Sequence, residues 1–197
     1  MKILKLSFIA LLVSFMSNLS AQKIKVISGD LSSLKGIEKV NAKYDYNNVS
    51  IGKFKLEKDY VDKRRDEINK DEAGEGDKWA DDWYKEQQTR YPKKFEELFN
   101  NYSETIKIDS ASSSDVLMIV KTTFIEPGFN VGVARKPSLV DMTVSFNKGE
   151  TVLCSITITG SPGNGAMGYD FDAGFRIGES YAKAGKELGQ LLSKKVK

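Results

Sequence analysis

The sequence predicts an α+β fold, in which a mostly antiparallel sheet of about five or six strands carries a long C-terminal helix on one face. Three observations predict it. Apolar and polar residues alternate at strand spacing early in the chain and again in its second half. A heavily charged helical pattern occupies residues 57–102, and a second helical run extends over residues 170–196. We therefore expect residues 22–197 to form a single domain with a helical insert at residues 57–102.

Two short strands are predicted before the insert. Residues 23–28 alternate polar and apolar side chains, and residues 31–36 are typical of a turn. Residues 40–46 are predicted to form a half-buried strand, because apolar or aromatic side chains recur on one side of it: Val40, Ala42, Tyr44 and Tyr46.

The insert is predicted to be a helical hairpin that packs alongside the sheet. Residues 73–76 (AGEG) break the helical pattern, and Asp77 is a good N-cap for the helix that follows. Pro92 fits the first turn of a further helical segment. The acidic residues 71–77 lack the ligand spacing of an EF-hand, which favours a solvated turn over a calcium site.

The second half of the chain is rich in predicted strands. They cover residues 105–108, 116–125, 139–146 and 152–159, with a turn at residues 147–150. The alternation in these strands predicts an antiparallel meander with one face exposed to solvent.

The last helix is predicted to begin at an acidic N-cap, with Asp170 and Asp172 at its positive end. A row of small residues predicts that this helix lies tight against the sheet: Gly174, Gly178, Ala182, Gly185 and Gly189.

Residues 1–21 are predicted to be a secretory signal, because a basic start and an apolar stretch lead to small or polar residues before Ala21. The mature chain is therefore expected to be exported, to the periplasm or the exterior, without a membrane span. The 30 basic side chains exceed the 27 acidic ones by three, and Lys2 and Lys5 belong to the signal. The nearly neutral remainder argues against nucleic acid as a partner.

The complete absence of histidine excludes a Ser-His-Asp triad, a Cys-His dyad and a histidine-dependent zinc site. Catalysis by carboxylate, Lys, Tyr or Ser-Lys remains open. Cys154 is the only cysteine, so no intrachain disulfide can form. Its alternation phase, shared with Val152 and Ile156, places it on the predicted core face.

Residues 163–168 (GNGAMG) match the letters of the dinucleotide-binding fingerprint. That site needs a second parallel strand after the helix, whereas no such strand follows here, and the preceding strand alternates instead of being continuously apolar. We therefore predict a flexible reversal between the last strand and the last helix, formed by Gly160, Gly163, Gly165 and Gly168.

Two segments are candidates for binding a partner. Trp79 and Trp83 lie at i and i+4 on a charged helix, where aromatic residues are core anchors or, when exposed, binding hot spots. The loop at residues 126–137 is a recognition loop or a plain connection, and its candidate residues are Glu126, Pro127, Gly128 and Phe129. If the tryptophans belong to a binding surface, truncating both should abolish partner capture and leave folding intact.

The run VLMIVKTTFIEPGFNVGVARKPSLVDMTVSF, the hairpin to TVLCSITITG and the terminal helix resemble small exported α/β modules of the bacterial envelope. These modules include the curli-secretion lipoprotein and the penicillin-binding-protein activator lipoproteins. The resemblance implies a sheet with helices packed against it and a role in binding or assembly. Ala21-Gln22 resembles the signal end of Bacteroidetes exported proteins. The sequence departs from the group in having no lipid-attachment cysteine and in carrying the helical insert.

These observations favour a non-enzymatic periplasmic or secreted module that binds a protein or envelope component. They assign no catalytic, cofactor-binding or metal-binding residue, and they leave the oligomeric state open. One alternative is a carboxylate-based hydrolase of envelope glycan or peptide. Another is a small-ligand binder with an apolar pocket between the sheet and the C-terminal helix.

Overall fold

A computed structural model describes residues 22–163 and 171–196 and confirms the α+β fold. The signal sequence and residues 164–170 of the glycine-rich stretch lie outside the described residues. A short 3-10 helix at Leu31–Leu34 follows the first strand. The strands and helices are β1 (Lys23–Gly29), β2 (Lys39–Asp45), β3 (Ser50–Ile51), α1 (Glu57–Asp71), α2 (Glu75–Gln88), α3 (Arg90–Tyr102), β4 (Lys107–Ile108), β5 (Val116–Glu126), β6 (Phe129–Asn130), β7 (Arg135–Lys136), β8 (Ser138–Lys148), β9 (Thr151–Gly163) and α4 (Ala173–Lys195).

The main sheet has seven strands in the order β1-β9-β8-β5-β2-β4, with β3 also paired to β5. The predicted meander is present, because β5, β8 and β9 are antiparallel neighbours and β1 joins β9 antiparallel. The strand of the main sheet that the sequence did not predict is β3, which at two residues is too short to show alternation. Strands β6 and β7 form a separate two-stranded hairpin.

The helical insert is the crossover connection of the sheet. Strand β2 is parallel to β5, with Asn41 opposite Leu117, and a parallel pair needs a long connection between its strands. The predicted helical hairpin beside the sheet was wrong, since the segment contains three helices. The third helix, α3, supplies fully buried core side chains: Tyr91, Phe95 and Phe99.

Glycines of α4 pack closely against α3, whereas the sequence predicted that they pack against the sheet. A Cβ added at Gly185 would lie 2.2 Å from the carbonyl oxygen of Phe95, and one at Gly189 would lie 2.8 Å from that of Phe99. The sheet contacts α4 at a different glycine. Gly163 belongs to β9, where an added Cβ would lie 2.0 Å from the carbonyl oxygen of Arg176.

The structure tests the predicted N-cap residues and part of the predicted glycine reversal. Asp172 caps α4 by accepting from the backbone N–H groups of Gly174 and Phe175, as predicted. The N-cap of α2 is Gly74, so the prediction of Asp77 was wrong, and Asp77 lies in the first turn. The predicted reversal was wrong for Gly160 and Gly163, because β9 continues through both of them.

The core confirms the placement of the single cysteine. Cys154 is fully buried, and burial raises the pKa of its thiol to about 11. Val152 was predicted on the same face but is exposed, because the pairing register shifts beside Phe146 and sets Val152 opposite Asn147. Within the part of the chain that the structure describes, no helix is both long and apolar enough to cross a membrane.

Candidate functional site

A cleft of about 780 Å³, which we call the aromatic cleft, opens between α1, α2, the start of α4 and the segment after β5. Five of the six predicted partner-binding residues line it, although they come from two distant parts of the chain: Trp79, Trp83, Pro127, Gly128 and Phe129. The cleft therefore brings together two segments that the sequence indicated separately.

The floor of the aromatic cleft is a cluster of four rings. Tyr60 of α1 lies at the centre, with ring centroids 5.7 Å from Phe54, 6.1 Å from Trp79 and 5.1 Å from Trp83. The two tryptophan rings are 5.7 Å apart because side chains at i and i+4 share one face of α2. Tilted and edge-to-face pairs of this kind hold one another in place and form a rigid apolar surface.

The two tryptophans have different roles. Trp83 is only 4% exposed, and its indole N–H donates to the Glu57 carboxylate at 2.7 Å. Gln87 also donates to Glu57. Trp79 is partly exposed. Trp83 is thus a core anchor, one of the two roles that the sequence predicted, while Trp79 is available to a ligand.

Glu57 makes stability depend on pH. Burial raises the pKa of its carboxyl above the ordinary value, although the hydrogen bonds from Trp83 and Gln87 oppose the change. Because the folded state holds this proton more tightly than the unfolded chain does, the stabilising contribution is complete at low pH. It is lost as the pH rises from about 4.5 through the raised folded pKa.

We expect Glu57→Gln to flatten this pH dependence, since the amide keeps an acceptor for Trp83 and does not titrate. Urea unfolding from roughly pH 4 to pH 8 should show wild type losing stability relative to the variant. Glu67→Gln on the same helix is the control, because hydrogen bonding from Arg64 lowers the pKa of Glu67 and the difference should run the opposite way. A wild-type curve parallel to that of Glu57→Gln would contradict the assignment.

The opposite wall of the aromatic cleft is fixed to α4 by a buried arginine. Arg176 is 5% exposed and donates from Nε to the Pro127 carbonyl and from Nη2 to the Gly128 carbonyl, both at 3.2 Å. These charge-assisted bonds set the start of the β6–β7 hairpin against the helix. Residues 127–129 therefore form a wall of the cleft that is fixed in position.

Glu126 is the predicted candidate that does not line the cleft. Its carboxylate accepts from the backbone N–H of Gly128 at 3.2 Å and pairs with the Lys136 ammonium at 2.7 Å. Gly128 has a positive φ of 63°, and a Cβ there would lie 2.3 Å from the Lys136 carbonyl oxygen. Glu126 thus stabilises the base of the β6–β7 hairpin.

Three of the carboxylates that line the cleft are already engaged. Glu67 pairs with Arg64, Glu86 pairs with Arg90, and Asp172 caps α4. A glycoside-hydrolysing pair needs one carboxyl with a raised pKa as general acid, whereas that of Glu67 is lowered. These three carboxylates are therefore held by contacts within the protein.

Tyr91 lies at the deep end of the aromatic cleft and is fully buried. Its ring stacks on that of Tyr181, with centroids 4.9 Å apart. Its hydroxyl has no hydrogen-bond partner among the described residues, although a buried phenol usually finds one. Burial raises its pKa well above the ordinary value, and the charges of Glu86 and Asp172 add to the effect. The hydroxyl is thus neutral at physiological pH.

The aromatic cleft does not lie where the sequence suggested an apolar pocket, which was between the sheet and the C-terminal helix. That space is filled by fully buried side chains of α4: Ile177, Tyr181, Leu188 and Leu192. Sequence reasoning did not select Phe54, Tyr91 or Arg176 as site residues. No local signal marks them, because their role depends on contacts between distant segments.

The acidic residues between α1 and α2 form a turn around Asn69. Its side-chain oxygen accepts from the backbone N–H groups of Gly74 at 3.1 Å and Gly76 at 2.8 Å. In residues 22–163 and 171–196, no group of three or more acidic, cysteine or histidine side chains could hold a metal ion.

Comparison with known proteins gives weak likenesses. No protein-family model matches the chain, and no curated protein matches it. The PelC dodecamer from Paraburkholderia phytofirmans is 12% identical with a TM-score of 0.39, covering 89% of this chain and 99% of that one. A point variant of that PelC dodecamer is 11% identical with a TM-score of 0.37, covering 89% and 98%. The resemblance to the curli-secretion and activator lipoproteins stays a prediction. At these values the function has to be argued from this chain's own residues.

Proposed function

We propose that this protein is an exported, non-enzymatic binding module of the bacterial envelope and that its ligand occupies the aromatic cleft. The observation that carries the proposal is the convergence of Trp79 and residues 127–129 on one cleft, with the rings of Tyr60 and Trp83 beneath. Export rests on the predicted signal at residues 1–21.

The chemistry of the cleft suits a ligand that has an apolar face and polar edges. The ring cluster offers apolar surface, and Asp82 offers an exposed carboxylate. Apolar pockets with a few placed polar groups are the usual form of a ligand site. We infer that the cleft takes a short segment of a larger envelope component. Its volume also lies in the range of small-molecule sites, about 300–1,000 Å³, which keeps a small ligand as the second candidate.

Tryptophan fluorescence provides a direct assay. The chain has two tryptophans, and both line the aromatic cleft. A ligand that enters the cleft should therefore change the intrinsic emission. We would titrate the protein with separated protein and glycan fractions of an envelope extract, followed by low-molecular-weight fractions. If none of these fractions changes the emission, the proposal is wrong.

We expect Trp79→Ala to weaken binding about tenfold or more, as for a residue at a binding hot spot, while Trp79→Phe keeps most of the affinity. Tyr84→Ala is the matched control, because Tyr84 is an exposed aromatic residue on the same helix that does not line the cleft. Affinity should be measured by calorimetry with the active fraction. Equal losses in Trp79→Ala and Tyr84→Ala would contradict a site in the cleft.

A further inference from the structure

The turn of the β6–β7 hairpin carries an apolar surface that extends beyond the aromatic cleft. Residues 131–134 (VGVA), which we call the hairpin tip, contain no polar side chain. Val133 is 100% exposed and Val131 is 64% exposed. Exposed turns ordinarily use Gly, Pro, Asn, Asp or Ser, so two exposed valines in one turn are unusual.

Neighbouring residues enlarge this apolar surface. Phe129 at the base of the hairpin is 45% exposed, and Phe171 just before α4 is 69% exposed. Both lie on the rim of the aromatic cleft together with Val131. Four of the nine exposed large hydrophobic side chains in the described part of the chain thus belong to one region. Isolated exposed hydrophobic residues are ordinary, whereas a cluster marks an interaction surface.

Three of the four backbone N–H groups of the hairpin tip donate hydrogen bonds within the hairpin. The N–H of Val131 donates to the Ala134 carbonyl at 3.0 Å, and that of Val133 donates to the Val131 carbonyl at 3.0 Å. The N–H of Gly132 donates to the Asn130 side chain at 2.9 Å. Entry of a segment into an apolar medium requires such internal pairing, because no water remains to bond the backbone.

Cations follow directly after the apolar residues. Arg135 is exposed and makes no ion pair with any residue that the structure describes, and Lys136 is exposed while paired with Glu126. An apolar tip with basic residues at its base matches the boundary of an anionic bilayer, where apolar groups enter the acyl region and cations meet headgroups. A protein partner of standard size buries about 800 Å² on each side, and a turn of four residues offers too little surface for that.

We propose that the hairpin tip inserts into the surface of an anionic phospholipid bilayer, with Val131 and Val133 in the acyl boundary and Arg135 at the headgroups. Val133 and Arg135 do not line the aromatic cleft, whereas Val131 lies on its rim, so a membrane surface would be bound mainly by residues that the cleft ligand does not contact. Membrane attachment through this tip would need neither a lipid anchor nor a spanning helix.

The test is co-sedimentation of the full mature chain with vesicles of phosphatidylcholine alone or mixed with phosphatidylglycerol. Wild type should bind the mixed vesicles more strongly, with a loss at high salt. The double variant Val131→Asp/Val133→Asp should bind at least about tenfold more weakly, because carboxylates resist entry into the acyl region. Arg135→Gln should weaken binding to the mixed vesicles while leaving binding to phosphatidylcholine unchanged.

Val152→Asp is the matched control, since Val152 is a 50% exposed valine at the start of β9, outside the hairpin. It should bind as wild type does, and thermal unfolding should show that all variants are folded. Wild type remaining in the supernatant with both vesicles would overturn the proposal, as would an equal loss in Val152→Asp. Valine substitutions that abolish self-association and leave vesicle binding intact would assign the tip to a second copy instead. Trp79→Ala should still bind vesicles, which separates this proposal from the proposed function.

Discussion

The Gly185→Ala variant is expected to lose about 3 kcal/mol of unfolding free energy, the upper end of the usual cost of overpacking. The added Cβ would lie 2.2 Å from the carbonyl oxygen and 3.0 Å from the carbonyl carbon of Phe95. Both atoms belong to the backbone of α3, so the clash cannot be relieved by a rotamer change. Helix α3 would have to move away from α4 and disturb the packing of Phe95 and Phe99. Urea unfolding followed by circular dichroism measures the loss.

Gly178→Ala is the matched control on the same helix. Its Cβ would lie 3.0 Å from Cδ of Arg90 and 3.3 Å from Cγ, and a flexible side chain can shift. Alanine also favours a helix over glycine by about 1 kcal/mol. We therefore expect Gly178→Ala to be neutral or slightly stabilising. If the two variants lost the same stability, the close approach of α3 and α4 at Gly185 would not be the cause.

The Trp83→Ala variant is expected to lose about 3–5 kcal/mol of unfolding free energy, the usual cost of removing a buried aromatic ring. Trp83 is 4% exposed, and its removal would leave a cavity beneath Tyr60 and Trp79. It would also take from Glu57 a hydrogen-bond donor. The burial of Trp83 therefore argues against the expectation that both tryptophans could be truncated without loss of folding. Chemical denaturation at neutral pH measures the loss.

Two variants separate the contributions of Trp83. Trp83→Phe keeps most of the ring volume and removes the indole donor, so we expect an intermediate loss. Tyr84→Ala changes an exposed neighbour and should stay within about 0.5 kcal/mol of wild type. A Trp83→Ala protein as stable as Tyr84→Ala would show that the ring does not support the core.

The different burial of the two tryptophans decides which of them can be used to test ligand binding. Trp79 and Trp83 lie one helical turn apart, yet the first is partly exposed and the second supports the floor. Loss of ligand binding in a Trp83 variant would therefore not separate a contact from a folding defect. Trp79 is the residue at which binding can be changed while the core is kept.

Local patterns predicted the elements well. The break at residues 73–76 and Pro92 marked the helices between residues 57 and 102, and alternation found six of the seven strands of the main sheet. These features are encoded within a few residues, because a helix or strand that buries one face repeats its apolar residues at its own period. The burial of Cys154 follows from the same alternation.

Only the tertiary structure decided which elements meet. Periodicity shows that Phe95 lies on an apolar face and that Gly185 needs a close neighbour, but it does not name the partner. The pairing of α3 with α4 was therefore missed, and so was the parallel pairing of β2 with β5.

The residues of the aromatic cleft were also indicated separately by the sequence and brought together only by the tertiary structure. By itself, the sequence determined that Trp79 and residues 126–129 were candidates for binding, each from its local composition. Their convergence, with Tyr60 in contact with both tryptophans and Arg176 bonded to residues 127 and 128, arises from contacts between distant segments. Such contacts depend on the path of the whole chain, since a local period records only that a face is buried.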